Sequence, residues 1–267
     1  MNIPTYSLGP ALTDEQRTFL DTSGFIVFKK FISDDEIAMI LGELAEVEKS
    51  WVAQKKEKAF GIPIRYSTGL NGEKYVSRFA FASCYSKAIH DFLMGERFKH
   101  IQAVLGGEFR LGEREKDGMV VNNYVNREGS KWKQLGWHTD GLRDFFLPGA
   151  RQRPLWQIGI YLDDSPITKG GLRLIPGTHK QGLFGQVFRK ASFLDNRPDK
   201  DEVCVTAEKG DLTFHDGRLW HRVARATVTG EASRRRVIYL PFIDGPLHEK
   251  TENSPTPLYQ RLNFLAG

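Results

Sequence analysis

The spacing of apolar residues in the first third of the chain predicts a helix, a strand and a second helix, in that order. Thr13 and Ser33 each open a segment with the capping-box pattern, in which a hydroxyl residue is followed three positions later by Gln or Glu. After Ser33, apolar residues keep helical spacing at Ile37, Ile40, Leu41, Leu44 and Val47. The short run 24–28, Gly-Phe-Ile-Val-Phe, predicts the intervening strand. A third helix is predicted over 88–105, ended by a pair of glycines.

The remainder of the chain consists of short β-rich runs separated by Gly, Pro and Asp clusters. Strands are predicted at Met119–Tyr124, Trp156–Leu162, Leu172–Ile175, Val203–Thr206, Asp211–Phe214 and Val237–Phe242. Such spacing favours a barrel or sandwich over alternating strands and helices. The segment 55–74 shows no periodicity and is predicted to be a long loop. We therefore predict one domain over 1–267, with a helical part at about 12–106, a β core at about 109–243 and a tail at 244–267.

Composition and charge limit the kinds of molecule that this protein is expected to bind. With 40% hydrophobic and 27% charged residues, the chain has the balance of a globular protein, and no apolar run reaches the roughly 20 residues that span a bilayer. The net charge of +5 is spread along the chain, which favours a solvated surface over nucleic-acid binding. The first residues lack the pattern of a secretory or transit peptide. We expect a cytoplasmic protein without membrane or nucleic-acid partners, and the sequence assigns no oligomeric state.

Candidate metal ligands occur in the triplet His138-Thr139-Asp140 and at His221. Residues two apart on an extended backbone point to the same face, so one segment can present both His138 and Asp140. His221 can reach the same point from another strand of a barrel. Two imidazoles and one carboxylate suit Fe(II) and leave positions open for a co-substrate and O₂. Three consecutive arginines, 234–236, follow, and the planar guanidinium matches a carboxylate well.

The order of these motifs resembles that of the phytanoyl-CoA dioxygenase family. After His138-X-Asp140 come Gly170-Gly171-Leu172-Arg173-Leu174-Ile175-Pro176-Gly177-Thr178-His179, then Gly210-Asp211-Leu212-Thr213-Phe214-His215, then His221 and the arginine-rich strand. The resemblance extends from about residue 12 to 243. It implies a mainly β fold with flanking helices around a double-stranded β-helix (jelly-roll, cupin-like) core. It also implies Fe(II) held by His138, Asp140 and His221, with 2-oxoglutarate as co-substrate and O₂ as oxidant.

The resemblance further implies an arginine that holds the distal carboxylate of 2-oxoglutarate. Aligning 235–239 with the Arg-Arg-apolar run of the family gives this role to Arg235, with Arg236 as the second candidate. Period-two alternation turns Arg236 to the opposite face of the strand. Further candidate contacts to 2-oxoglutarate are Asn122, Tyr124 and Gln157.

Two other histidines compete for roles in this interpretation. His215 is a rival third ligand, but the family often carries a histidine at that place without using it, so His221 is preferred. His179 ends a Pro-Gly-Thr-His turn and is predicted to support loop backbone. Asp140 occupies the place where halogenating relatives have a small residue, so hydroxylation or a related two-electron oxidation is expected.

The predicted activity is hydroxylation of an unactivated C–H bond in a small metabolite of anionic or amphiphilic character. Epimerisation, desaturation and cyclisation with the same cofactors stay open as alternatives. So do a catalytically silent binding protein, which the intact ligands disfavour, and a zinc or manganese enzyme, which leaves the arginines unexplained. The segments expected to select the substrate carry aromatic and basic residues and are 55–74, 127–135, 142–153 and 183–201.

Overall fold

The computed structural model describes residues 3–69, 71–106, 108–127, 134–141, 154–257 and 260. Their α-helices are α1 (Asp14–Ser23), α2 (Asp34–Ala53), α3 (Lys87–Leu93), α4 (Glu96–Leu105) and α5 (Leu183–Phe188). Their strands are β1 (Phe25–Phe28), β2 (Lys58–Ala59), β3 (Ile62–Pro63), β4 (Arg65–Thr68), β5 (Lys74–Phe79), β6 (Arg110–Leu111), β7 (Val120–Tyr124), β8 (Leu135–His138), β9 (Leu155–Tyr161), β10 (Gly171–Leu174), β11 (Val203–Cys204), β12 (Leu212–Asp216), β13 (His221–Ala224) and β14 (Arg235–Ile243). In these residues, no helix is both long and apolar enough to cross a membrane.

Both predicted capping boxes form at the helix starts. The Thr13 hydroxyl accepts a hydrogen bond from the Gln16 backbone N–H at 3.2 Å, and the Gln16 side chain accepts one from the Thr13 N–H at 3.0 Å. Ser33 and Glu36 repeat this exchange at the start of α2. Each reciprocal pair satisfies two backbone donors that a helix start leaves free. The predicted order of helix, strand and helix is therefore confirmed.

Two local predictions are wrong. The single helix expected over 88–105 is divided into α3 and α4 at Gly95, whose extended backbone (φ −65°, ψ 160°) begins a new helix. The segment 55–74, expected to be a loop, contains β2, β3 and β4, and β4 pairs with β5 as a hairpin. Strands of two to four residues are too short to show an alternating pattern, so their partners decide them.

The strands form two main antiparallel sheets. The larger has eight strands in the order β1-β12-β9-β14-β7-β5-β4, with β6 also paired to β14. The smaller has four strands in the order β11-β10-β13-β8. Pairings in both are antiparallel, as in the β12–β9, β14–β7 and β13–β8 pairs. The prediction of a β-rich fold with flanking helices is thus confirmed at the level of mixed helices and antiparallel sheets.

Alternation along the larger sheet separates an apolar face from a polar one. The apolar face packs with α2, α3 and α4 in the main core and includes Ile158, Ile160, Phe214, Ile238 and Leu240. The intervening residues on the same strands include Gln157, Tyr161, Thr213, His215, Arg235 and Tyr239. A sheet with one face on the helices leaves its other face available to build a site.

His179 connects the smaller sheet to the end of α1. It is buried, and its Nε2 lies 3.0 Å from the backbone carbonyl oxygen of Asp21. Gly24 ends α1 in the left-handed conformation (φ 79°), and a Cβ there would lie 2.3 Å from His179 Nδ1. The glycine therefore serves both the turn and the close approach of the imidazole. His179 therefore has a structural role, as predicted, but its hydrogen bond is to the backbone of α1 and not to that of a loop.

We expect Gly24→Ala to lower the free energy of unfolding by about 2 kcal/mol, because a Cβ is disfavoured in the left-handed region and also displaces His179. Denaturant unfolding followed by circular dichroism measures this. Gly42→Ala is the matched control, since Gly42 lies in α2 with nothing within 4 Å of the added carbon. That control should be neutral or stabilising by up to about 1 kcal/mol. Equal effects of the two substitutions would contradict the assignment.

Candidate metal centre

Three buried side chains from two paired strands converge on one point. His138 ends β8, Asp140 follows two residues later, and His221 begins β13. His138 and His221 are opposite each other in the β8–β13 pair. The ligand atoms of the three residues all lie within 4.8 Å of one another, and His221 Nε2 is 3.7 Å from Asp140 Oδ2. The structure therefore brings together the three residues that the sequence proposed as ligands.

The orientation of both imidazoles is set by backbone hydrogen bonds. His138 Nδ1 lies 2.8 Å from the Gly136 carbonyl oxygen, and His221 Nδ1 lies 2.9 Å from that of Leu219. Because a carbonyl only accepts, each Nδ1 carries the proton and donates it. Each Nε2 then presents a lone pair toward the centre, which is the tautomer that a metal requires.

The donor set fits Fe(II). Two imidazole nitrogens and one carboxylate oxygen suit a divalent ion of intermediate hardness, and three protein donors leave coordination positions open. A structural zinc site instead uses four protein ligands.

His215 is a neighbour of this centre rather than part of the three-residue cluster. It lies on β12 of the larger sheet, and its ring centroid is 4.9 Å from that of His221. Both of its ring nitrogens are buried and have no hydrogen-bond partner among the residues that the structure describes. Burial, followed by the nearby His221, lowers the pKa of His215 to about 3, so the ring is neutral.

The three consecutive arginines have different surroundings. Arg236 makes two hydrogen bonds to Asp163, at 2.8 and 2.6 Å, and Arg234 pairs with Glu231 at 2.6 Å. Arg235 is only 3% exposed, and among the described residues no carboxylate pairs with it. Within the described part of the chain its Nε has no hydrogen-bond partner, and its guanidinium lies 5.0 Å from the centroid of the Tyr124 ring. A buried cation of this kind is suited to an incoming anion, because an uncompensated charge is costly to bury.

Two hydroxyl groups that the sequence reasoning missed lie near Arg235. A Cβ on Gly171 would be 3.3 Å from Ser165 Oγ and 3.4 Å from Arg235 Nη1, so both groups border this glycine. The Tyr161 hydroxyl approaches Thr213 without a well-formed hydrogen bond, and burial raises its pKa to about 12. Tyr161 therefore stays protonated and can donate. Its position, four residues after Gln157 on one strand, was the available signal.

A cavity of about 150 Å³ between the two sheets contains the metal ligands. Asn122, Gln157, His215 and Tyr239 line it from the larger sheet, and Leu172 and Val223 from the smaller one. Asn122 and Gln157 therefore border the same space as the three ligands, whereas Tyr124 contacts Arg235 instead.

An aromatic side chain covers one ligand. Phe193 stacks on His138 with ring centroids 4.6 Å apart and an interplanar angle of 21°. Its backbone has φ 64°, and its N–H donates to the Trp137 carbonyl oxygen at 2.7 Å. Phe193 lies in the segment 183–201 that was expected to select the substrate. Of the other expected segments, 142–153 and most of 127–135 lie outside the described residues.

A His-Asp-His cluster in a fold of antiparallel sheets is the arrangement of mononuclear non-haem iron oxygenases. Residues 20–236 match the family model described as phytanoyl-CoA dioxygenase (PhyH), which is most of the chain. The chain belongs to the phytanoyl-CoA dioxygenase family, and the predicted family is confirmed.

Known relatives agree with this assignment. The peroxisomal phytanoyl-CoA dioxygenase of Mus musculus is 26% identical over 238 residues, covering 82% of this chain and 65% of the relative's length. Among solved structures, EvdO2 from Micromonospora carbonacea var. aurantiaca complexed with 2-oxoglutarate has a TM-score of 0.61 at 18% identity, covering 94% of this chain and 98% of that one. The alpha-ketoglutarate-dependent carbocyclase SnoK has a TM-score of 0.65 at 17% identity, covering 95% and 90%. These structures show the shared fold.

We expect His221→Ala to weaken binding of Fe(II) about 100-fold or more, because it removes one of three protein donors. His215→Ala should change the affinity by less than about tenfold, since His215 lies outside the ligand cluster. Anaerobic calorimetric titration of the metal-free protein measures both. If His215→Ala weakens Fe(II) binding more than His221→Ala does, His215 is the metal ligand and His221 its neighbour.

Proposed function

We propose that this protein is an Fe(II)- and 2-oxoglutarate-dependent oxygenase that hydroxylates an unactivated C–H bond of a small molecule. The observation that carries the proposal is a His-Asp-His cluster combined with a buried arginine that no described carboxylate neutralises. The proposal includes a double-stranded β-helix core within a single domain over 1–267. It also includes a cytoplasmic location and a small-molecule substrate without nucleic-acid or membrane partners.

Each side chain has a distinct role in this proposal. His138, Asp140 and His221 would hold the iron, and with 2-oxoglutarate and O₂ the bound metal supplies the oxidising power for attack on a C–H bond. Arg235 would hold the distal carboxylate of 2-oxoglutarate through its planar guanidinium. Tyr161 and Ser165 are placed to donate hydrogen bonds to the same carboxylate.

The remaining groups position the reactants and exclude water. Asn122 and Gln157 border the cavity beside the ligands and can orient polar parts of the co-substrate or substrate. Phe193 shields the His138 ring on one side. Neutral His215 occupies the wall next to His221 without adding charge to the site.

Cyclisation is the second candidate, because SnoK, a structural neighbour, is described as a carbocyclase. SnoK resembles this chain in its fold, and a shared fold does not determine whether a reaction ends in hydroxylation or in cyclisation. Asp140 provides the full set of three ligands and keeps a competing anion from that coordination position, which disfavours halogenation. Analysis of the product distinguishes hydroxylation from cyclisation.

We expect Arg235→Gln to weaken 2-oxoglutarate binding about 10- to 100-fold, because it removes a charge-assisted pair of hydrogen bonds. The measurement is an anaerobic titration of the Fe(II) protein with 2-oxoglutarate, followed by the visible charge-transfer band. Arg234→Gln is the matched control, since Arg234 pairs with Glu231 and lies next in sequence. If Arg236→Gln weakens binding while Arg235→Gln does not, the clamp is Arg236.

Once a substrate is found, reaction under ¹⁸O₂ distinguishes the outcomes. Hydroxylation should place one ¹⁸O atom in the product and one in succinate, whereas cyclisation, desaturation or epimerisation should label only succinate. Mass spectrometry of both products measures the label. If the folded protein does not bind 2-oxoglutarate, the proposed oxygenase function is contradicted.

A further inference from the structure

Residues 191–197, here named the edge segment, run along the edge of the smaller sheet beside the first metal ligand. Within the described residues β8 is the edge strand of that sheet. The Phe193 N–H donates to the Trp137 carbonyl oxygen at 2.7 Å, and the Trp137 N–H donates to the Asp195 carbonyl oxygen at 2.8 Å. A Cβ on Gly136 would lie 2.4 Å from the Phe193 carbonyl oxygen, so the two chain segments are in close contact. Backbone hydrogen bonds therefore fix Phe193 against β8.

The edge segment is also held on the face of β8 that points away from His138. Trp137 is fully buried, and its indole N–H donates to the Arg197 carbonyl oxygen at 2.8 Å. Lys190, just before the segment, pairs with Asp199 at 2.7 Å, and both side chains are mostly buried. The Lys190 ammonium also lies 5.4 Å from the centroid of the Trp137 ring. Contacts at both ends therefore hold the edge segment in one position.

The backbone conformation of Phe193 accompanies the placement of its ring in the metal cavity. Its φ of 64° lies in the left-handed region, which is unfavourable for a bulky residue with a Cβ. Such conformations persist where the surrounding contacts fix them, and they are frequent at functional sites. The ring lines the cavity and stacks on His138. An unfavourable backbone conformation thus places a phenyl ring beside a metal ligand.

Aliphatic side chains continue this apolar surface across the smaller sheet. Leu135 is opposite Val223 in the β8–β13 pair, and Val223 is opposite Leu172 in the β13–β10 pair. Val223 follows His221 by two residues, so this row lies on the same face of the sheet as the histidine ligand. All three side chains line the metal cavity together with Phe193. The smaller sheet and the edge segment therefore present hydrocarbon next to the ligands.

The opposite wall of the cavity has a different character. The larger sheet contributes the side-chain amides of Asn122 and Gln157. A molecule between the two sheets would thus meet amides on one side and hydrocarbon on the other. Apolar groups gain free energy when they leave water, whereas polar groups lose it unless they are hydrogen-bonded. The two walls therefore favour different parts of a ligand.

We propose that Phe193 is a specificity-determining residue, which binds a hydrocarbon part of the substrate beside the metal ligands. Leu135, Leu172 and Val223 complete the surface that this part contacts, and the polar part of the same molecule faces the amides of the larger sheet. This inference deepens the proposed function and rests on it. The substrate class is an amphiphilic small molecule whose reacting carbon belongs to an aliphatic chain or ring.

The test uses the full chain, first without metal and then with Fe(II) and 2-oxoglutarate under anaerobic conditions. Cyclohexanol and myo-inositol are titrated separately, because both have a six-carbon ring but only myo-inositol carries a hydroxyl group on every carbon. Calorimetry measures binding, and the change in the visible charge-transfer band measures contact near the metal. We expect cyclohexanol to bind both forms of the protein at least about tenfold more tightly than myo-inositol.

Substitutions at Phe193 test its role. Phe193→Asn should weaken cyclohexanol binding at least about tenfold, because an amide replaces the ring while Asn tolerates the left-handed backbone. Phe193→Leu keeps a hydrocarbon side chain and should bind cyclohexanol within about threefold of the wild type. Phe184→Asn is the matched control, since Phe184 lies on α5, is 77% exposed and should leave binding unchanged. If Phe193→Asn does not fold, Phe193→Ala takes its place with the same expectation.

The outcomes separate this inference from the proposed function. If the wild type does not prefer cyclohexanol, or if Phe193→Asn binds cyclohexanol as the wild type does, the role given to Phe193 is wrong. A loss of Fe(II) or 2-oxoglutarate binding in Phe193→Asn also overturns it, because Phe193 would then act by supporting His138. If cyclohexanol binds through Phe193 while 2-oxoglutarate never binds, the hydrocarbon surface stands and the oxygenase function fails.

Discussion

The antiparallel pairing of β8 with β13 is the constraint on which the centre depends. It sets His221 opposite His138, and the step of two residues from His138 brings the Asp140 carboxylate to the same place. Backbone carbonyls two residues before each histidine fix the rings and their tautomers. Because those acceptors belong to the backbone next to the ligands, the chain segments that carry the histidines also orient their rings.

A second principle is the division of the larger sheet into two faces. Its apolar face is covered by the helices and supplies the main core, so it contributes most of the hydrophobic stabilisation. Its other face carries buried polar atoms that have no hydrogen-bond partner in the described ranges, including atoms of His215, Tyr161 and Arg235. Such groups lower the stability of the free protein, and a polar ligand that binds there can supply the missing hydrogen bonds. Stability and binding are thus assigned to opposite sides of one sheet.

Sequence patterns predicted the elements whose signals are local. The caps at Thr13 and Ser33 form, because each depends on residues within one turn. The prediction of a loop at 55–74 failed, because strands of two to four residues are too short to show an alternating pattern and are defined by their hairpin pairing. The apolar pattern also missed the helix break at Gly95, since apolar spacing continued through 88–105. The first failure concerns strands too short to have a period, and the second a glycine that interrupts a helix without changing the apolar spacing.

By itself, the sequence determined the family and the chemical identity of the candidate ligands, because donor types and motif order are properties of the chain. Only the tertiary structure separated the three arginines, giving Arg234 and Arg236 acidic partners and leaving Arg235 without one among the described residues. Likewise, Arg65 and Arg78 are ordinary basic residues in the sequence. Pairing of β4, β5 and β7 places them in the wall of the metal cavity. The physical reason is that charge balance and burial are set by neighbours distant in sequence, which no local pattern records.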